Sequence, residues 1–288
     1  MKVRDINGTM LDRFYRDMVT TGQNKVTGKP LSPKTVLEYH RLLSTIFALA
    51  KKQHIISHNP AEDATPPKSA RTLPNYYQPE QLARIRDAFD KEPIRWKLMG
   101  NLLMFYGDRR SEFAGIRCSD IDFNRHILTL RGSVLYNSRQ GVYAKDTLKN
   151  GKSRELLMTD AVERLMREYL AWRAEEKEKW GNVWTESGYL FTDTHGGMMN
   201  PDTITQYLHR MTKRLQKDDP TFPHLNPHAF RHTVVSNLLA NGVDVVSVAN
   251  LVGDDPATIT THYAHIISDR TRRAVQTMET IVMGQACG

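Results

Sequence analysis

The chain has 288 residues, 40% hydrophobic and 25% charged, a globular composition that excludes fibrous and bulk-disordered classes and points to two unequal domains. Two cysteines, Cys118 and Cys287, exclude a disulfide framework or a zinc knuckle, and no run approaches the ~18 apolar residues of a membrane span or forms a signal-peptide core. A cytoplasmic protein is therefore expected, and the net charge of +8 favours a polyanionic partner, nucleic acid before a membrane surface.

The basic surplus is concentrated early, since residues 1–70 carry eleven basic and six acidic side chains. Thr9 is expected to cap a first helix with Leu11, Phe14 and Met18 on one face. Ser32 and Pro33 then open a long second helix with an apolar stripe of Val36, Tyr39, Leu43, Ile46, Phe47 and Ala50. Lys34, Arg41, Lys51 and Lys52 place cations elsewhere on its surface, where they are candidate DNA contacts. Asn59-Pro60 is expected to restart a short helix, and the proline-rich run beyond it reads as a linker over 66–77.

After the linker, two helices start at Pro79 and Pro93, the second ending at Gly107. A stretch from Arg125 to Met158 alternates short apolar runs with turns and predicts a small antiparallel sheet of three strands, with Asn150-Gly151 as a hairpin tip carrying Lys149. Helices follow from Asp160, after Pro201, from Pro227 to Ala240 and from Ser268. The fold class is therefore mainly α with a small antiparallel β-sheet (α+β).

Four segments concentrate chemistry. "YGDRRSE" presents Arg109 just past a helix end, with Glu112 following. "KNGKSR" carries Lys149. "HAFRH" sets His228 and Arg231 three apart, one helical turn on one face, with His232 next to them. Tyr263 follows "GDDPATITTH". His224, His228 and His232 recur every fourth residue, but Pro227 interrupts any common helix and no H-E-x-x-H carboxylate is present, so no metal site is read. Trp172, Trp180 and Trp184 read as packing residues. No P-loop and no acidic cluster suited to two metals appear, so no cofactor is expected.

In order and spacing these segments resemble the tyrosine recombinases, a family that includes the integrases of phages and conjugative transposons and the Xer-type recombinases. "YGDRRSE" is similar to the family's G-x-R-x-x-E box, "HAFRH" to its H-x-x-R-H box, and "LVGDDPATITTHYAH" to its L-G-H box with the nucleophilic tyrosine nine residues on. The resemblance implies a helical core-DNA-binding domain over 1–65 and a catalytic domain over 78–288 that includes a C-terminal helix. An arm-site-binding domain and a further helix, usual in such integrases, are not visible before Asp5.

The resemblance further implies a bacterial or mobile-element integrase acting on double-stranded core sites as a homotetramer, through a 3′-phosphotyrosyl intermediate and a Holliday junction, with an excision or accessory factor as a possible partner. Tyr263 is the implied nucleophile. Arg109 and Arg231 would clamp the phosphate, Lys149 would protonate the leaving oxygen, His228 would manage the tyrosine proton, and Glu112 would orient Arg109. Elementary chemistry agrees, because a phosphodiester gains negative charge in its transition state and a guanidinium offers a permanently charged planar fork to two oxygens.

Asp254 departs from the pattern, standing where the family has a histidine or tryptophan that donates to the phosphate. Either it turns away, or another donor such as His262 or His265 substitutes, or cleavage is slow. The reading adopted is that it turns away, with a modest loss of rate. Rival readings are a catalytically impaired DNA-binding regulator and a type IB topoisomerase-like relaxase.

Overall fold

The computed structural model describes residues 1–22, 24–25, 27–68, 76–148 and 151–283. It separates into two compact units, Met1–Thr72 and Leu73–Gly288.

In the first unit, helix α1 spans Gly8–Thr20 and α2 spans Pro33–Lys52. Asn7, not Thr9, caps α1: its side chain accepts from the Met10 amide at 3.0 Å, because an Asx oxygen three residues ahead is placed for that orphan N–H. The buried stripe of α1 is Leu11, Tyr15 and Met18, and Phe14 lies at its exposed edge. Ser32 caps α2 and Pro33 takes its first position, as expected. Val36, Phe47 and Ala50 face inward, whereas Tyr39 and Ile46 are exposed, so the predicted stripe is too wide.

Across the unit, the Tyr15 hydroxyl meets His40 Nδ1 at 3.0 Å. The expected helix at Asn59-Pro60 is a turn. The Asn59 amide there donates to the Ser44 carbonyl at 3.2 Å and accepts from the Ala61 N–H at 3.0 Å, satisfying locally the groups a helix would otherwise pair.

The second unit begins inside what the sequence assigns to the linker. Tyr77 is buried, its amide donates to Thr233 Oγ1 at 2.8 Å, and its hydroxyl accepts from the Asn226 amide at 3.1 Å. Helices α3 (Pro79–Asp90), α4 (Ile94–Tyr106) and the short α5 (Arg110–Ala114) follow. Leu98, Met99, Leu102, Leu103 and Tyr106 of α4 are buried in the main core, as their i, i+4 spacing requires.

The β region forms two small sheets, not one. Strands β1 (Ile121–Asp122), β2 (Ile127–Leu130) and β5 (Arg154–Leu157) form an antiparallel sheet in the order β1-β2-β5, with Leu128 opposite Leu156. Strands β3 (Ser133–Asn137) and β4 (Gly141–Lys145) form a separate hairpin. Its turn is Asn137 to Gly141, where the Asn137 side chain accepts from the Arg139 and Gln140 amides. Of the expected Asn150-Gly151 hairpin tip, Asn150 lies outside the described residues, and the strands on either side, β4 and β5, pair in different sheets rather than with each other. Local turn chemistry marked a turn, but the apolar face of β5 finds its partner in β2.

Helices α6 (Asp160–Trp180), α7 (Asp202–Asp218), α8 (Pro227–Ala240), α9 (Val245–Val252) and α10 (Pro256–Met283) complete the unit. The last begins at Pro256, not Ser268, and is interrupted by non-helical angles at Tyr263 (φ −115°, ψ 21°). Helix α8 is buried on nearly every side. Ala229 and Phe230 enter the main core, while Val234, Val235 and Leu239 join Val248, Ala249, Val252, Ile259 and Tyr263 in a second cluster. Fully burying such side chains is worth about 1.5–3 kcal/mol each, enough to hold α9 and the first turns of α10 against α8. Among the described residues no helix is long and apolar enough to cross a membrane.

Candidate active site

The site forms where the α4–α5 turn, strand β5, helix α8 and the α9–α10 turn meet. Gly107 ends α4 in the left-handed region (φ 61°), and a Cβ there would lie 2.9 Å from the Arg231 Cα. Only glycine both turns the chain and lets α8 approach this closely. The turn places Arg109 at the start of α5 with its side chain directed inward, only 21% exposed.

Arg109 Nη1 donates to Glu112 Oε1 at 2.8 Å and to the Gly253 carbonyl at 3.0 Å. Arg231 is buried. Its Nη1 donates to the Gly107 and Val252 carbonyls at 3.2 and 2.5 Å, and its Nη2 donates to Asp254 Oδ2 at 2.8 Å. Asp254 Oδ1 lies 3.4 Å from Arg109 Nη2. Asp254 therefore does not turn away, correcting the sequence reading: its two oxygens face one guanidinium each. The reason is local, since two close guanidinium groups attract the one carboxylate the α9–α10 turn can bring to them. Burial opposes its ionisation, but Arg231 and Arg109 outweigh that and hold the carboxyl below its usual range.

Sequence reasoning missed a third arginine. Arg154 of β5 donates through Nη2 to Asp108 Oδ1 at 2.5 Å and to Glu112 Oε2 at 2.8 Å, with all three side chains largely buried. Glu112 thus joins Arg109 to Arg154. Burial raises the Glu112 carboxyl, but Arg154 and Arg109 more than compensate and leave it lowered. Asp108, more fully buried, is pushed up to about 6 by desolvation, against the pull of Arg154. The signal for Arg154 was available in "KNGKSR", of which it is the last residue.

Tyr263 is buried in the second cluster, and its hydroxyl is hydrogen-bonded to His232 Nδ1, the neighbour of the expected His228. Burial raises the phenol pKa, Arg231 lowers it in part and Asp254 raises it. His232 is lowered to about 4, first by desolvation and then by His228 and Arg231, so it is neutral at pH 7 and its unprotonated nitrogen can accept from the phenol. His228 is exposed on the first turn of α8. Although the residue as a whole is exposed, partial desolvation of its ring, then the field of Arg231, Arg110 and Arg109, lowers its pKa. A cleft of about 830 Å³ opens beside the arginines, lined by Arg109, Lys152, Arg154, Gly253, Asp254 and Asp255 among others.

Arg109, Glu112, His228, Arg231, Asp254 and Tyr263 are thus brought to one region. Lys149 lies outside the described residues. Lys34, Arg41, Lys51 and Lys52 belong to the first unit, all exposed on α2, with Arg41 paired to Glu38 at 2.6 Å.

Comparison with known proteins gives one answer. The chain is 23% identical to the XerC-like tyrosine recombinase of Caldanaerobacter subterraneus, over 96% of its own length and 72% of that protein's. It is 28% identical to tyrosine recombinase XerC of Anoxybacillus flavithermus, over 84% and 74% of the two chains. A solved structure of a Tn1549 transposon integrase variant in complex with transposon right end DNA superposes with a TM-score of 0.76 at 20% identity, covering 97% of this chain and 87% of that one. Residues 75–270 match the phage integrase family. With that match the chain belongs to the phage integrase family and is a tyrosine recombinase.

Proposed function

We propose that this chain cleaves and rejoins DNA strands at specific core sites through Tyr263, as an integrase of a mobile element. The observation that carries the reading is that Arg109 and Arg231, from distant segments, direct their Nη2 groups to one point beside the segment bearing Tyr263. A phosphodiester at that point would give its two non-bridging oxygens to the two guanidinium groups. These interactions strengthen as charge develops in the transition state, and so act on rate rather than on binding alone.

In this reaction the Tyr263 oxygen attacks phosphorus, the bond to the 5′-oxygen breaks, and a 3′-phosphotyrosyl ester forms. The phenolic proton passes to a histidine, for which His232 is the group in contact, while His228 sits beside the phosphate clamp. The leaving 5′-oxygen takes a proton from Lys149. The ester conserves the energy of the broken bond, so the 5′-hydroxyl of a partner strand reverses the step without a nucleotide cofactor or metal, and a Holliday junction results from the first pair of exchanges.

The first unit is assigned to core-DNA binding, with Lys34, Arg41, Lys51 and Lys52 meeting backbone phosphates. Four protomers on two duplexes, acting in the cytoplasm with an excision or accessory factor, complete the proposal. The Tn1549 integrase, whose structure was solved with transposon DNA, supports a mobile-element role.

The test is a nicked suicide duplex that traps the covalent adduct. The adduct should form with the unaltered chain, disappear in Tyr263→Phe, and fall at least about 10²-fold in Arg109→Lys. Joining of the cleaved strand to a second duplex distinguishes recombination from relaxation of one duplex. Bound duplex without adduct would instead identify a DNA-binding regulator, a reading that the pairing of Asp254 with both arginines keeps in view.

A further inference from the structure

The clamp is not empty. Arg109 and Arg231 have each committed Nη1 to fixed partners, Glu112 and the Gly253 carbonyl for one and the Gly107 and Val252 carbonyls for the other. The Nη2 groups are the ones aimed at a shared point, and Asp254 holds that point with one oxygen on each. This is the two-oxygen contact that a phosphodiester would make. The backbone amide of Asp255 donates to Asp254 Oδ1 at 3.3 Å and steadies the carboxylate there. The surrounding charges balance, since Arg109, Arg154 and Arg231 face Asp108, Glu112 and Asp254.

We propose that Asp254 is a resident anion in the phosphate subsite, so that the clamp is self-occupied in the free protein and a DNA phosphate must displace the carboxylate before Tyr263 can react. The inference rests on the reading of Arg109 and Arg231 as the phosphate clamp. It adds a gate that the reaction scheme does not require.

Three observations support displacement rather than permanent occupation. Asp254 lines the 830 Å³ cleft, so the expelled side chain has space to enter. It sits on the short turn between α9 and α10, next to Gly253 in the left-handed region (φ 66°), and not inside a helix. Its longer contact, 3.4 Å to Arg109, is the looser of the two. A phosphate bound without displacement would face a carboxylate at van der Waals distance, a like-charge contact that disfavours it by roughly tenfold or more. Asp108 and Glu112 do not take this part, because Asp108 is buried on Arg154 and Glu112 is buried between Arg154 and Nη1 of Arg109, not on the Nη2 groups.

The test uses the full chain as wild type, Asp254→Asn and Asp254→His, with two probes. The first is inorganic phosphate titrated against thermal unfolding, since an anion that binds the folded state raises its melting temperature. Without phosphate, both variants should melt below wild type, because two guanidinium groups then face each other unscreened. Phosphate should restore them with an apparent affinity at least about tenfold tighter than wild type shows. The second probe is the covalent trapping rate on the nicked duplex, which should rise about tenfold or more in either variant.

Equal phosphate affinity in wild type and in whichever variant folds overturns the gate, as does trapping slower than wild type in both. Tighter phosphate binding in the variants, with no Tyr263-dependent adduct in any chain, leaves the gate standing and counts against the strand-cleavage reading instead.

Discussion

The hydroxyl of Tyr263 is hydrogen-bonded to Nδ1 of His232, 31 residues earlier in the chain. The pair meets because α10 loses helical geometry at Tyr263 and packs its first turns against α8 through Ile259, Val234 and Val235. His232 is therefore the histidine in contact with the proposed nucleophile, while His228, on the preceding turn, lies in the field of Arg231, Arg110 and Arg109.

Replacing His232 by phenylalanine should lower the trapping rate by about 10²-fold while leaving duplex affinity unchanged, since the ring makes its contact with the phenol. An unchanged rate would remove His232 from the mechanism. Stability gives an independent check. The group is lowered from 6.5 to about 4 in the folded chain, so the unfolded chain binds its proton first, and the stability it contributes above pH 6.5 is lost as pH falls towards 4. About 3 kcal/mol at most is at stake over that interval, and urea midpoints for His232→Phe should lose this part of the acid decline.

Arg154→Met should cost about 3–5 kcal/mol at pH 7, because it strands the buried Asp108 and leaves Glu112 with Arg109 alone. Asp108 already sits at about 6 through burial, so losing its cation drives it further up and the variant should regain stability as pH falls towards 5. Urea unfolding at pH 7 and 5 reads both effects. A variant as stable as wild type at pH 7 would show that the network holds nothing together.

Gly107→Ala should destabilise the second unit by about 2 kcal/mol or more, because alanine resists a φ of 61° and its Cβ would press on the Arg231 backbone at 2.9 Å. Trapping should fall with it, as Arg231 gives Nη1 to the Gly107 carbonyl. Unfolding midpoints and trapping rates moving apart would argue against this coupling.

Lys51→Ala and Lys52→Ala test the assignment of the first unit. Each lost phosphate contact should flatten the slope of log affinity against log salt by about 0.9, with a uniform loss across duplex sequences. Fluorescence anisotropy at several salt concentrations measures it, and parallel lines for variants and wild type would place these lysines off the DNA.

Much of this protein was legible in the sequence. Local chemistry wrote the start of α2 at Ser32-Pro33, the left-handed end of α4 at Gly107 and the α8 span from Pro227 to Ala240, and those signals act within a few residues. The order and spacing of the segments bearing Arg109, His228, Arg231 and Tyr263 likewise carried the family resemblance, and the fold brings those residues to one region. Tertiary structure decided the rest, because partners were chosen across tens or hundreds of residues. Strand β5 took β2 rather than β4, Tyr77 became core rather than linker, and Tyr263 found His232. Asp254 turned towards two guanidinium groups rather than away, since only the folded chain brings Arg109 and Arg231 close enough for their combined field to outweigh the cost of burying a carboxylate.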